Sequence, residues 1–339
     1  MKIAFFSTKP YDKLFFEQEN SAYGFQFNFF ETHLGPHIVN AIEDEKVVCA
    51  FVNDKLNRQV IEVLAQKGVE LIALRCAGFN NVDLEAAKEF GIQVCRVPAY
   101  SPEAVAEHTM AMLLTLNRKT HKAYNRVREQ NFALNGLLGF NLHQTKIGVI
   151  GTGKIGKAFI KIALGFGAEI IAYDLYPDQQ LTTQGVNYKS LDELFKESDI
   201  ISLHCPLTSE NHYLINSESL GKMKDGVTII NTSRGNLINT QDVIKALKER
   251  KIGLLGIDVY EQEEKLFFKD LSTTIIGDET IQLLMSYPNV LVTAHQAFFT
   301  TEALTEISQR TLRSISDLST KGITDAEVML YQDFPSNLF

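Results

Sequence analysis

No CxxC pair occurs among the four cysteines, Cys49, Cys76, Cys95 and Cys205. A zinc ribbon and a thioredoxin-like redox motif are therefore unsupported. Four scattered thiols read as buried apolar residues in a reducing compartment. Basic residues are not in excess: Lys+Arg number 33 against 41 Asp+Glu, a net charge of −8. That argues against the broad basic field of a nucleic-acid binder. It leaves small anions open, because local groups bind those. No stretch approaches the ~20 apolar residues of a membrane span. The apolar run Ile3–Phe6 is too short for a signal-peptide core and reads as a first strand. Tryptophan is absent while Phe occurs 22 times, which reads as core filling. No low-complexity segment or short repeat appears. These features predict a soluble cytoplasmic protein.

With 45% hydrophobic and 22% charged residues, the composition is globular, and a length of 339 residues points to two domains. Short apolar runs alternate with helical patterns almost throughout. Strands are expected over 2–6, 25–30, 47–52, 70–74 and 92–95, with helices such as 57–67 and 83–90 between them. Near-continuous apolar strands between helices indicate parallel sheets covered on both faces. Ser101-Pro102-Glu103 then opens a long helix running to about Arg128, with a buried stripe of Val105, Met112, Leu113 and Leu116. Its basic end, Arg118 to Arg128, reads as a solvated helix terminus. A second alternation has strands over 146–150, 169–173, 199–203, 227–230, 253–257 and 290–293, and helices over 154–165, 190–197 and 240–250. One more amphipathic helix spans about 301–319. The fold class is α/β: two doubly wound parallel-sheet lobes, the larger of Rossmann type.

Gly151-Thr152-Gly153-Lys154-Ile155-Gly156 is a GxGxxG turn. It follows a strand and opens a helix, the context that gives the motif meaning. Gly151 permits the tight turn, Gly153 lets the backbone approach a pyrophosphate, and Gly156 lets helix and strand pack closely. The helix N-terminus offers N–H groups to phosphates. Asp174 ends the next strand, where a carboxylate reaches ribose hydroxyls and repels a 2′-phosphate. Residues 175–180 contain no Arg or Lys, so NAD is favoured over NADP.

Three polar residues follow later strands: Arg234 in Asn231-Thr232-Ser233-Arg234-Gly235, Glu263 in Asp258-Val259-Tyr260-Glu261-Gln262-Glu263, and His295 in Thr293-Ala294-His295-Gln296-Ala297-Phe298. In open α/β sheets ligands bind at the carboxyl ends of strands, so these loops should converge. Spacing alone does not choose among Glu261, Glu263 and Glu264. Together with Arg75-Cys76-Ala77-Gly78-Phe79-Asn80-Asn81-Val82-Asp83, Pro98-Ala99-Tyr100-Ser101-Pro102-Glu103 and His204-Cys205-Pro206-Leu207-Thr208, these motifs cover essentially the whole chain. In that order they resemble the D-isomer-specific 2-hydroxyacid dehydrogenases, and within them the bacterial fermentative, NAD-dependent D-lactate branch. One departure is Ala294, where that branch often carries Gly.

The resemblance implies reduction of pyruvate to D-lactate with NADH, with Arg234, Glu263 and His295 as the catalytic set. The chemistry suits those residue types. A proton must reach the oxygen as hydride reaches the carbonyl carbon, and imidazole can donate it near neutrality. A carboxylate on the other ring nitrogen orients the ring and favours its charged form. Guanidinium presents a planar fork to the substrate carboxylate. The resemblance further implies that Gly151, Gly153, Lys154, Ile155, Gly156, Asp174, Cys205, Pro206, Asn211, Thr232, Ser233, Arg234 and Asp258 contact the cofactor, with Asp258 facing the nicotinamide carboxamide. Ala77, Gly78, Tyr100, Arg234, His295 and Phe298 would contact the small 2-oxo acid or 2-hydroxy acid. The implied division is a flavodoxin-like substrate domain, 1–100 plus 297–339, and an NAD-binding domain, 101–296. Hinge closure of the two lobes over the substrate would exclude water. The implied assembly is a homo-oligomer, dimer or tetramer.

Other features carry blander readings. His33 and His37 have the spacing of a helical metal pair, but Gly35-Pro36 breaks the helix, so no metal is expected. His108 follows Glu107, and helix neighbours one apart point away from each other, which leaves His108 as packing. Two alternatives remain: a reductase of another small 2-oxo acid, of branched-chain or glyoxylate type, and a NADH-sensing relative without activity. The intact Arg–Glu–His set weighs against the second. A phosphoglycerate-type enzyme would usually carry an extra regulatory domain, for which no segment is seen.

Overall fold

The computed structural model of the chain describes residues 1–322; the stretch 323–339, assigned from sequence to the substrate domain, lies outside the described residues. The described residues form two compact units, Met1–Ser101 with the chain from Phe299, and Pro102–Phe298.

The first unit contains β1 (Lys2–Phe5), α1 (Pro10–Asn20), β2 (Gln26–Phe29), β3 (Val47–Ala50), α2 (Arg58–Gln66), β4 (Leu71–Leu74), α3 (Leu84–Glu89) and β5 (Gln93–Cys95). Its five strands are parallel in the order β2-β1-β3-β4-β5. β3 and β4 are buried at every position, as strands covered on both faces must be. Asn57 and Asp83 start α2 and α3 by accepting hydrogen bonds from Val60 and Ala86 N–H groups.

A charged group lies inside this unit. Arg75, fully buried after β4, reaches Asp12 Oδ1 at 3.3 Å and donates to the Ser7 carbonyl at 2.9 Å. Its guanidinium lies 4.5 Å from the Phe5 ring centre and 4.8 Å from that of Phe51. Buried Asp54 accepts from Ser7 Oγ, Leu34 N and Phe51 N. His33 Nδ1 sits 2.6 Å from Ser7 Oγ, so it belongs to this polar group.

The second unit contains α4 (Pro102–Arg118), α5 (Thr120–Arg128), β6 (Lys146–Ile150), α6 (Lys154–Gly165), β7 (Glu169–Tyr173), α7 (Gln179–Thr183), β8 (Asn187–Tyr188), α8 (Leu191–Glu197) and β9 (Ile200–Leu203). It continues with α9 (Ser217–Lys222), β10 (Val227–Asn231), α10 (Thr240–Lys248), β11 (Ile252–Ile257), α11 (Glu279–Ser286) and β12 (Val290–Val292). Seven parallel strands lie in the order β12-β11-β10-β9-β6-β7-β8. The order reverses between β6 and β9, which makes the carboxyl end of β6 the place for a ligand. The last described helix, α12 (Thr301–Lys321), packs beside α1 and β4 of the first unit.

The long helix expected from Pro102 to about Arg128 is two helices. Lys119 adopts a left-handed φ of 52° between them. The cause is a distant tie: Asn117 exchanges two 2.8 Å hydrogen bonds with the Phe140 backbone, pinning the returning chain to the end of α4. α5 buries no residue, consistent with its basic sequence. Among the described residues, no helix is long and apolar enough to cross a membrane.

Candidate active site

The turn from β6 into α6 is built by close backbone approach. Gly151 has φ +94°, and a Cβ there would lie 2.5 Å from Cys205 N. A Cβ on Gly156 would lie 2.0 Å from the Gly151 carbonyl oxygen. Neither position admits a side chain. Gly153 is the N-cap of α6 and supplies no capping side chain, so the first-turn N–H groups around half-buried Ile155 and exposed Lys154 are left to a ligand.

Asp174, at the end of β7, accepts from Thr152 N at 2.6 Å and from Tyr176 N at 2.9 Å. Tyr188 donates to Thr152 Oγ1 at 2.9 Å, and Thr152 Oγ1 reaches Asp174 at 3.0 Å. A carboxylate has about four lone-pair sites, and these three donors leave one for a ribose hydroxyl. Thr152 and Tyr188 were not singled out from sequence, because a local pattern does not show who holds the acid. A cavity of about 430 Å³ opens beside Asp174. The fold brings Lys189, well beyond residues 175–180, into it, but Lys189 is ion-paired with Glu197. These N–H donors and this carboxylate fit a dinucleotide without a 2′-phosphate.

The loops after β9 and β10 border the same turn. Cys205 backs onto Gly151, and burial pushes its thiol up to about 12, so it is no nucleophile near neutrality. Asn211 donates to the Pro206 carbonyl at 2.7 Å and accepts from Thr208 N, fixing that loop. Ser233 Oγ donates to the Cys205 carbonyl at 2.6 Å. Thr232 Oγ1 lies 2.8 Å from Thr109 Oγ1 on α4.

Arg234, Glu263 and His295 follow the neighbouring strands β10, β11 and β12. His295 Nδ1 lies 2.8 Å from Glu263 Oε1. Glu263 Oε2 accepts from Tyr260 N at 3.0 Å, so each carboxylate oxygen has one donor. A carboxylate only accepts, which places the ring proton on Nδ1 and leaves Nε2 for chemistry. Glu261 is engaged elsewhere, accepting from Thr240 N at 3.0 Å. The choice among neighbouring acids is thus made by geometry. Arg234 is half-buried, and its Nη1 donates to the Ser233 carbonyl at 2.7 Å. The next residue, Gly235, abuts the Tyr260–Glu261 backbone: a Cβ would lie 2.2 Å from the Tyr260 carbonyl carbon. The Arg234 loop is therefore in register with the loop that bears Glu263. Phe268, not expected from sequence, places its ring centre 5.9 Å from the His295 imidazole.

Asp258, which the resemblance sets against the nicotinamide, is buried beside the His295 loop. Its side chain is 0% exposed. Its oxygens accept from Thr293 Oγ1 at 2.5 Å, Gln296 N at 2.9 Å and Ala297 N at 3.0 Å. Its carbonyl takes His295 N at 2.7 Å. It lies under the His295 loop, not on its surface. Burial disfavours the charged form, yet hydrogen bonds from His108 and Thr293 and the nearby His295 hold its carboxyl below the usual range.

In the first unit, Ala77 and Gly78 follow β4. The Ala77 carbonyl accepts from Arg96 at 2.9 Å and the Gly78 carbonyl from Cys76 Sγ at 3.3 Å. Their carbonyls are occupied, and both residues are half-buried, as is Tyr100. Phe298 is 7% exposed at the end of the second unit.

Residues 110–297 match the model of the D-isomer specific 2-hydroxyacid dehydrogenase NAD-binding domain. The chain belongs to that family of NAD-dependent dehydrogenases. It is 53% identical to the D-lactate dehydrogenase of Escherichia coli over 324 residues, covering 96% of this chain and 98% of that one. The apo structure of the Escherichia coli enzyme superposes with a TM-score of 0.88 at 51% identity, over 97% of this chain and 100% of that one. A D-lactate dehydrogenase from Aquifex aeolicus, solved with NAD and lactic acid, matches with a TM-score of 0.83 at 36% identity, over 94% of this chain and 95% of that one.

Proposed function

We propose that this chain is an NAD-dependent D-lactate dehydrogenase that reduces pyruvate to D-lactate, with His295 as proton donor. The observation that carries the reading is the 2.8 Å contact between His295 and Glu263, on loops at the same edge of the sheet as an NAD-type turn. The relatives described above support the choice of substrate. NADH, when bound, supplies the hydride. Arg234 orients the substrate carboxylate. Nε2 of His295 gives its proton to the carbonyl oxygen as that oxygen gains charge. Glu263 holds Nδ1 and stabilises the charged ring before transfer. Phe298 borders the substrate methyl group. Gly151, Gly153, Lys154, Ile155 and Gly156 hold the pyrophosphate, Asp174 the ribose, and the loops bearing Cys205, Pro206, Asn211, Thr232 and Ser233 the rest of the dinucleotide. In this reading, residues 1–101 with the chain from Phe299 recognise the 2-oxo acid, and 102–298 bind NAD.

NADH oxidation measured with a panel of 2-oxo acids, with the chirality of the product determined, tests the assignment. Pyruvate should be the best small substrate and D-lactate the product. H295A should lose turnover while still binding NADH. A best substrate with a branched chain, or an L product, overturns the reading.

Self-association is part of the proposal. Phe132, Leu134 and Leu138 are 72%, 80% and 88% exposed in the segment after α5, an apolar face of the kind that a second copy covers. A monomer by light scattering at micromolar concentration would exclude it. None of the four cysteines, all among the described residues, forms a disulfide, which supports a cytoplasmic setting.

A further inference from the structure

We infer that His108 is a positioning residue for the reaction, holding the His295 loop in place through Thr293 and Asp258. The inference rests on the reading of His295 as proton donor. His108 lies on α4, and its Nε2 is 3.2 Å from Thr293 Oγ1 and 3.4 Å from Asp258 Oδ1. Thr293 Oγ1 is itself 2.5 Å from the same carboxylate oxygen. A hydroxyl has one proton, and at that distance from a carboxylate it is spent there. Thr293 therefore accepts from His108, and Nε2 carries hydrogen. The imidazole is a donor to a buried acceptor pair.

What that pair holds is the catalytic loop. Thr293, Gln296 and Ala297 all donate to the Asp258 side chain, and His295 N donates to its carbonyl. These donors stand on both sides of His295, whose φ is +52°. A residue with a Cβ adopts that conformation at a cost, and its surroundings must impose it. The carboxylate is the imposing group. His108 is the side chain from another element that fixes where the carboxylate and the threonine point. Without its N–H, the Thr293 oxygen is left with an unsatisfied lone pair on a rotor, and the loop keeps only the weak 3.7 Å contact of Thr293 with Met112 Sδ on α4. The proton donor then shifts, which lowers kcat, whereas the dinucleotide contacts on β6, α6 and β7 are untouched.

The test compares H108L, H108Q, T293V and H295A in kcat, in KM for the best 2-oxo acid, and in NADH affinity from nucleotide fluorescence. A donor displaced by a fraction of an ångström should cost on the order of 10- to 100-fold in kcat. H108L and T293V should show that loss with NADH affinity unchanged. The double variant should be little worse than either, because both break one chain. H108Q, whose side-chain N–H₂ can occupy the Nε2 position, should recover most of the rate; a role in mere packing would not be restored so selectively. Wild-type kcat in T293V or in H108L overturns the inference, and so does an H108Q as slow as H108L. If H295A keeps its turnover, the proton-donor reading fails and this inference falls with it. If H295A is dead while H108L and T293V are unimpaired, this inference alone fails.

Discussion

Replacing Glu263 by Gln keeps the shape and removes the charge. Glu263 accepts two hydrogen bonds, 2.8 Å from His295 Nδ1 and 3.0 Å from Tyr260 N. A glutamine has one acceptor oxygen. If that oxygen serves Tyr260, the amide N–H₂ meets the Nδ1–H, donor against donor. If it serves His295, the clash moves to the Tyr260 N–H. The ring can escape by moving its proton to Nε2 and accepting at Nδ1, but donating that proton would then leave an anionic ring. The two side chains are 21% and 16% exposed, so water offers little relief. A hydrogen bond to a charged group contributes about 1.5–3 kcal/mol. At 1.36 kcal/mol per decade, kcat of E263Q should fall roughly 10- to 150-fold. KM should change little, because Glu263 orients the ring and keeps it protonated before transfer without touching the substrate. Initial rates of NADH oxidation measure this, with NADH affinity as the check on folding. E261Q is the control, since Glu261 serves Thr240 N and should leave kcat near wild type. An E263Q enzyme within about twofold of wild type, or an E261Q equally impaired, would refute the reasoning.

Three further outcomes follow from the geometry. G156A forces a methyl to within 2.0 Å of the Gly151 oxygen, so α6 must lift from the turn; overpacking of this kind costs about 1–3 kcal/mol and should weaken NADH binding roughly 5- to 140-fold, and unchanged affinity in a fluorescence titration counts against the cradle. R75M removes the cation beside buried Asp12 and Asp54, and urea denaturation should show a loss of about 3–5 kcal/mol; a loss below about 1 kcal/mol would mean that the carboxylates do not need it. His204, its ring packed on Phe159 although part of the residue still touches solvent, is held by burial at about 3 from an ordinary 6.5. The unfolded chain therefore binds this proton first as pH falls, so stability drops by up to about 1.4 kcal/mol per unit between those two values and levels off below them. H204Q should flatten that slope in acid titrations of Tm, and an identical slope would place the effect elsewhere.

The parts of the molecule that were legible in the sequence are those whose causes are local. The turn at Gly151–Gly156 is read from six consecutive residues between a strand and a helix, and in the structure a Cβ on Gly156 or Gly151 would lie only 2.0 or 2.5 Å from backbone atoms. That the loops bearing Arg234, Glu263 and His295 follow strands on one edge of the sheet was also legible, because the strands are parallel. The identity of the paired acid was not legible from spacing, since Glu261, Glu263 and Glu264 differ by less than one turn and only the resemblance chose among them. The break at Lys119 was illegible because its cause, Asn117 gripping Phe140, lies 23 residues apart. β8, with two residues, is too short for any periodicity. His108 shows the boundary most sharply. Judged beside its neighbour Glu107 it was packing, whereas its partner Thr293 is 185 residues away. A strand rule can bring loops to one edge, but it cannot say which atoms meet there. That pairing is settled by side chains from α4, which crosses behind β10, β11 and β12 and so touches the roots of all three catalytic loops at once. A helix in that place can hold the acid–base pair in register without touching it, and a change in that helix should therefore alter rate before it alters binding.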